Sequence, residues 1–371
     1  MRSVKVGKAR KPVMICLVGM SGPPSGAWTR LGQVVSALVG EGVEVHILGE
    51  VGIHDGAVDF GVATVKLIFP MGKIARALSL PRLVAKLARE TGCAFIHLEA
   101  PPFIGPKGFF TLASLHDLRH FDQSWGQKFS TERFYQRHIL GWFAPNISGW
   151  LVLTEWGRYE LHRRFRFPLK TIFAIPPSIP VSNKYGPRHG NNLTEYVLAL
   201  GHLEPRKNIE TLISAVRLPT WPDDLELWIA GSDGGSLPRL VEMARVVGSR
   251  VRFLGKVENS EKEELLEKAR IVAVPSLSEG FGIVAIEAPL SGTVALVSDV
   301  QPLAEIGAHP SSRVVPTDPV AWANRIAAVH GDEALYAEIL DRQQSYARDL
   351  APHHYGSRLL SVYDAVTASL Q

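Results

Sequence analysis

The chain has 371 residues, 46% of them hydrophobic and 20% charged, with a formal net charge of +4. That length exceeds one ordinary core and fits two domains of roughly 150 to 200 residues each, and the composition excludes low-complexity and disordered classes. The two cysteines, Cys16 and Cys93, make no disulfide framework and are wrongly spaced for zinc, so they fit a reducing, cytoplasmic compartment, while the small positive charge favours anionic ligands without arguing for nucleic acid.

Residues 1–11 are basic and 12–20 apolar, which has the outline of a signal peptide. The apolar run leads into a Gly-rich turn and an amphipathic helix, however, so it reads as a basic arm before a buried first strand. No uncharged apolar stretch reaches the ~18 residues of a membrane span. Strands are expected at 13–20, 43–48, 62–69, 94–98, 109–114 and 150–153. Helical spacing is carried by Leu31, Val34, Val35 and Leu38, and again over 74–88. Such alternation implies a parallel sheet covered by helices.

Between 176 and 190, prolines and glycines crowd a polar stretch with the composition of a linker. A second series follows, with strands at 196–200, 225–230, 251–254, 271–274, 294–297 and 313–315, and a last helix at 357–368. Two doubly wound domains are therefore expected, with ligands at the carboxyl ends of their strands.

The strongest chemical signal is Glu279-Gly280-Phe281-Gly282-Ile283-Val284-Ala285-Ile286-Glu287, a strand-loop-helix segment. Its glycines let backbone approach a ligand, and amides at a helix start suit phosphate or sugar oxygens. Glu279 and Glu287 stand about two turns apart and can meet different parts of one ligand. A second signal, Gly201-His202-Leu203-Glu204-Pro205-Arg206-Lys207-Asn208, lies between the first strand and first helix of the second series. Adjacent cations at a helix start oppose the helix dipole, so they ask for a reason, and a diphosphate supplies one. The loop 19–26 is Gly-rich but neither G-x-G-x-x-G nor a Walker loop; Gly26 could offer its amide to a phosphate. His116-Asp117 follows the strand ending at Ser114, where ligands bind.

Together these pieces resemble the retaining GT-B glycosyltransferases of family 4, the mannosyl- and glucosyltransferase type. The resemblance runs along nearly the whole chain and is dense in the second half, where Arg206-Lys207-Asn208, Gly231-Ser232-Asp233-Gly234, Phe253-Leu254-Gly255, Pro275-Ser276 and the 279–287 segment keep the family's order. It implies an α/β GT-B fold of two Rossmann-like domains facing a cleft. These would be an acceptor-side domain at 1–183, a donor-binding domain at 184–352, and a C-terminal helix at 353–371 crossing back to the first. It further implies that Arg206 and Lys207 bind the donor diphosphate and stabilise the leaving nucleotide. Glu279 would bind hydroxyls of the sugar, Phe281, Gly282 and Ile283 would give backbone amides, and Gly231 would line the donor. Glu287 would bind the ribose, Lys256 and Val257 would flank the base, and His116 would sit beside the transferred sugar. The donor implied is GDP-mannose, or else a UDP-sugar, with no further cofactor. The family needs no metal, and no Asp-x-Asp motif occurs. One departure is Pro289, where a proline should kink or shorten the helix.

The acceptor, a glycan or lipid-linked molecule, falls to the aromatic stretch 119–142 and to Asp117, Phe121 and Trp125, with ordinary packing as the equal alternative. Lys73, Arg76, Arg82, Lys86 and Arg89 alternate with apolar residues over 73–89. This basic amphipathic segment reads either as a peripheral membrane contact or as a Rossmann helix with a solvated basic face, and Pro81 interrupts it. Two other functions compete. A sugar-nucleotide epimerase or phosphorylase is disfavoured by the Arg-Lys and Glu-Glu spacing and by the lack of a recognisable Schiff-base lysine motif. A non-catalytic sugar-nucleotide-binding protein is disfavoured by His116.

Overall fold

The computed structural model describes residues 11–22, 26–101, 103–116, 146–179, 195–350 and 352–368. The chain divides into two compact units, Met1–Ser178 with Pro352–Gln371, and Ile179–Ala351.

In the first unit, β1 (Val13–Cys16), β2 (Val45–Glu50), β3 (Thr64–Ile68), β4 (Phe95–Leu98), β5 (Phe110–Ser114), β6 (Gly149–Val152) and β7 (Ile172–Ala174) form one sheet. Its order is β3-β2-β1-β4-β5-β6-β7, and every described pairing in it is parallel. Helices α1 (Gly26–Gly40), α2 (Lys73–Glu90) and α3 (Glu155–Phe165) connect these strands. Alternation along β1 supplies both faces. Val13 and Ile15 pack with Leu31, Val34, Val35 and Leu38 of α1, while Met14 and Cys16 pack with Leu80, Val84 and Leu87 of α2. Burying each such side chain contributes about 1.5–3 kcal/mol. The strand expected at 13–20 thus stops at Cys16, where the chain turns, and Gly19 takes φ +95°.

α2 runs unbroken through Pro81. The proline costs the helix ~3 kcal/mol, which the burial of Leu80, Val84 and Leu87 offsets. Leu80, Val84 and Leu87 of this segment are therefore spent in the core, while Leu78, Arg82, Lys86 and Arg89 are exposed. No described helix is long and apolar enough to cross a membrane.

The second unit holds β8 (Tyr196–Leu200), β9 (Glu226–Ala230), β10 (Val251–Gly255), β11 (Ile271–Val274), β12 (Val294–Ser298) and β13 (Arg313–Val314). Their order is β10-β9-β8-β11-β12-β13, with parallel pairings throughout the described ladder. The helices are α4 (Ile209–Val216), α5 (Leu237–Arg245), α6 (Asn259–Lys268), α7 (Val284–Leu290), α8 (Leu303–Ile306), α9 (Pro319–Gly331) and α10 (Glu333–Arg348). The core gathers Leu212, Ile213, Trp221, Trp322 and Ile326 against Val197, Ile229, Ile271 and Leu296. α7 is seven residues long and ends one residue after Pro289, followed by Gly292 at φ +81°. The final helix, α11 (Pro352–Ala368), belongs to the first unit, where Tyr355, Leu359, Tyr363 and Val366 pack with α1 and the sheet.

Candidate functional site

In the second unit the strand order reverses between β8 and β11. At such a switch point the loops leaving two neighbouring strands diverge and open a crevice at the strands' carboxyl ends. The loop after β8 contains a single 3₁₀ turn, Pro205–Lys207, ending on Asn208 at φ +54°. Asn208 anchors the turn: its Nδ2 donates to the carbonyls of Pro275 (3.0 Å) and Pro316 (2.7 Å), and the Leu277 amide donates to the Arg206 carbonyl. The loop after β11 is thereby tied to the loop after β8.

Arg206 and Lys207 both meet Glu279. Lys207 Nζ donates to Glu279 Oε1 at 2.6 Å, Arg206 Nη1 donates to Oε2 at 3.1 Å, and Ser276 Oγ donates to Oε1 at 2.7 Å. All three charged side chains are largely buried. Burial alone would raise the Glu279 carboxyl, but Lys207 and then Arg206 outweigh it and hold the group below the usual carboxylate range. Arg206 Nε also donates to Glu204 Oε2 at 2.7 Å, so the cluster sets two cations against two carboxylates, of which Glu279 is the more deeply buried. Such a group can take up an anionic ligand that competes with the carboxylates for the same donors.

The other expected donor residues lie on the loop after β11 (Phe281, Gly282 and Ile283), in α7 (Glu287), after β9 (Gly231) and after β10 (Lys256 and Val257). Phe281 is buried, Ile283 is exposed, and Gly282 takes φ +101° with Leu303 so close that an added Cβ would lie 2.5 Å from it. Among the described residues, the amides of Gly282 and Ile283 have no hydrogen-bond partner. Glu287, in α7, accepts from Lys262 Nζ of α6 at 2.7 Å, a pairing that sequence reading missed. Gly231 immediately follows β9 at φ +149°, where an added Cβ would lie 1.8 Å from the Gly201 carbonyl oxygen. Lys256 is exposed, within 3.6 Å of Glu258, and Val257 beside it is half-buried.

His116 belongs to the first unit, just beyond β5. Its Nε2 lies 2.7 Å from Oε2 of Glu99, a buried carboxylate at the end of β4 that sequence reading did not single out. His97 Nε2 lies 3.0 Å from the other oxygen of Glu99. The signal was present as His97-Leu98-Glu99 on one strand end and Ser114-Leu115-His116 on the next, since alternate residues share a face. Gly26 is the first residue of α1. Asp117, Phe121, Trp125 and most of the stretch 119–142 lie outside the described residues.

Burial pushes the His97 imidazole from its ordinary 6.5 down to about 4. Between those values the unfolded chain binds the extra proton, so stability is fully present above 6.5 and is lost as pH falls toward 4. The loss is on the order of 3 kcal/mol. His54, also lowered by its burial, acts in the same direction. Thermal midpoints measured from pH 7 to pH 4 should therefore fall more steeply in the parent chain than in His97→Asn. Parallel curves would show that His97 carries no such linkage.

Residues 187–349 match the family model described as glycosyl transferases group 1. The chain is similar to a D-inositol 3-phosphate glycosyltransferase of Salinispora tropica, 34% identical over 187 residues, covering 47% of this chain and 39% of the relative. It is also similar to the O-antigen chain mannosyltransferase RfbU of Salmonella typhimurium, 27% identical over 217 residues, covering 57% and 59%. These matches thus span about half the length of such relatives. In structure, it is similar to a sucrose-phosphate synthase from Thermosynechococcus elongatus, with TM-score 0.74 and 19% identity over 97% of this chain and 100% of the other. That likeness is one of fold, and the fold is the GT-B arrangement of two parallel α/β sheets. Residues 187–349 therefore match the glycosyl transferases group 1 family, on a chain whose fold is of the GT-B type.

Proposed function

We propose that this chain is a retaining, metal-independent hexosyltransferase that takes its sugar from a nucleoside-diphosphate donor. The observation that carries the reading is the meeting of Arg206 and Lys207 on Glu279, from the two loops that flank the switch point of the second unit. On this reading the donor diphosphate takes the two cations, which then stabilise the departing phosphate. Glu279, released from them, turns its oxygens to sugar hydroxyls. The amides of Phe281, Gly282 and Ile283 serve the same ligand, and Gly231 lets the neighbouring loop approach closely. Glu287 serves the ribose, and Lys256 with Val257 flanks the base. The first unit provides the acceptor side, with Gly26 near phosphate and His116 serving the transferred sugar.

The donor is GDP-mannose or else a UDP-sugar, and the mannosyltransferases among the relatives support mannose as the sugar transferred. The acceptor is a glycan or lipid-linked molecule, met through Asp117, Phe121 and Trp125. Contact with an anionic membrane face, from the cytoplasmic side, is electrostatic and runs through Arg82, Lys86 and Arg89. Leu80, Val84 and Leu87 of α2 take no part in it, because they are buried in the core.

A thermal-shift screen across UDP-, GDP-, ADP- and TDP-sugars tests the donor claim. A donor present at 100 times its Kd should stabilise the protein by about 2.7 kcal/mol. If no nucleotide sugar raises the midpoint, the proposal fails.

A further inference from the structure

Parallel pairing of β4 with β5 sets His97 opposite Leu112 and Leu98 opposite Ala113, so Glu99 follows beside Ser114. Alternation then turns His97 and Glu99 to one side on their strand, and Ser114 and His116 to the same side on the next. The contacts form one chain. Tyr363 Oη of α11 lies 2.7 Å from His97 Nδ1, His97 Nε2 lies 2.6 Å from Ser114 Oγ, and Ser114 Oγ donates to Glu99 Oε1 at 3.3 Å. Glu99 Oε2 then meets His116 Nε2 at 2.7 Å.

The proton positions follow from which groups can only donate or only accept. Burial pushes the Tyr363 phenol well above its ordinary value, so it keeps its hydrogen and donates to His97 Nδ1. His97 is neutral and must carry its hydrogen on Nε2, which faces Ser114 and Glu99. Burial raises the Glu99 carboxyl, but His97, then His116 with its hydrogen bond, and last Arg30 outweigh it and hold the group ionised below the usual range. A carboxylate accepts only, so His116 Nε2 bears a hydrogen.

We propose that Glu99 is the positioning residue of His116: fixed by Ser114 and His97, it takes the Nε2 hydrogen and leaves Nδ1 as the ring nitrogen able to accept a proton or hydrogen bond. The proposal rests on the reading that His116 serves the transferred sugar. It adds that a carboxylate 17 residues earlier in the chain sets the tautomer and ring plane, and that α11, through Tyr363, supports the carboxylate from the far end of the sequence.

Two measurements test it. In the first, hydrolysis of GDP-mannose and UDP-glucose is followed in the parent chain, Glu99→Gln, His116→Ala and the double variant. Gln keeps the size of Glu but can present an N–H to the imidazole, favouring the wrong tautomer. Glu99→Gln should lower kcat roughly 10- to 100-fold with KM within about twofold, and should add no further loss in the His116→Ala background. An equal loss in both backgrounds would overturn the proposal, because Glu99 would then act without His116.

The second measurement needs neither turnover nor a folded Glu99 variant. It is the imidazole ¹⁵N spectrum of the parent chain, with His116 assigned by difference against His116→Ala. A hydrogen on Nε2 is expected, and a hydrogen on Nδ1 alone would overturn the proposal. If neither donor is hydrolysed by the parent chain and none binds, the hexosyltransferase reading fails while the ring spectrum still decides the role of Glu99.

Discussion

Replacing Lys207 with alanine should lower donor turnover by two to three orders of magnitude and leave the second unit folded. The size follows from what one preorganised donor contributes when charge develops on a leaving oxygen, roughly 10²–10³ in rate. The fold survives because Arg206 stays on Glu279 at 3.1 Å and Ser276 stays at 2.7 Å, so the buried carboxylate keeps a cation and a hydroxyl. Glu279→Ala should behave differently. It removes the anion between two largely buried cations, and breaking a buried pair from one side costs about 3–5 kcal/mol. Its thermal midpoint should fall together with its turnover. Donor hydrolysis and thermal melts on the two variants decide the matter. Unchanged turnover in Lys207→Ala would remove the phosphate role, and a Glu279→Ala protein melting with the parent would remove the ion-pair account.

Much of this site was legible in the sequence, because its residues sit in loops whose flanking strands announce themselves. Tyr196–Leu200 and Ile271–Val274 were read to the residue. Both are interior strands of a parallel sheet, buried on both faces, and so appear as unbroken apolar runs. β7 escaped notice because Ile172–Ala174 is three residues at a sheet edge, too short for any period to register. The partners were harder to see than the sites. Arg206 and Lys207 were legible as cations and Glu279 as a loop carboxylate, but nothing along the chain joins residues more than 70 apart. Lys262 and Glu99 were missed for the same reason: each looks like an ordinary charged residue until packing sets it against Glu287 or His116. In α2 the period of the apolar residues was read correctly, yet a membrane-facing stripe and a core-facing stripe share that period. Only the contacts of Leu80, Val84 and Leu87 separate them.

Gly231→Ala should cripple the second unit without touching a charged group. At φ +149° an L side chain is already strained, by about 1–3 kcal/mol. The added methyl would also lie 1.8 Å from the Gly201 oxygen and 2.6 Å from its carbon. These are backbone atoms held in place by the Gly201 amide on the Ala230 carbonyl, at 2.9 Å, so they cannot swing aside as a flexible side chain could. Relief requires moving the start of the loop that leads to Arg206 and Lys207. Overpacking adds about 1–3 kcal/mol, and at about 2–4 °C per kcal/mol for a unit of this size the midpoint should drop by roughly 10 °C. Gly248→Ala is the matched control. It has φ +71° and nothing within 4 Å of the added carbon, so it bears only the left-handed backbone cost of about 1–2 kcal/mol. Differential scanning calorimetry on the two variants, followed by the donor thermal-shift assay, separates strain from collision. Equal midpoints would mean that the loop after β8 yields freely. A lowered midpoint in Gly231→Ala with an intact donor response would mean that the position of this loop does not govern the cations it carries.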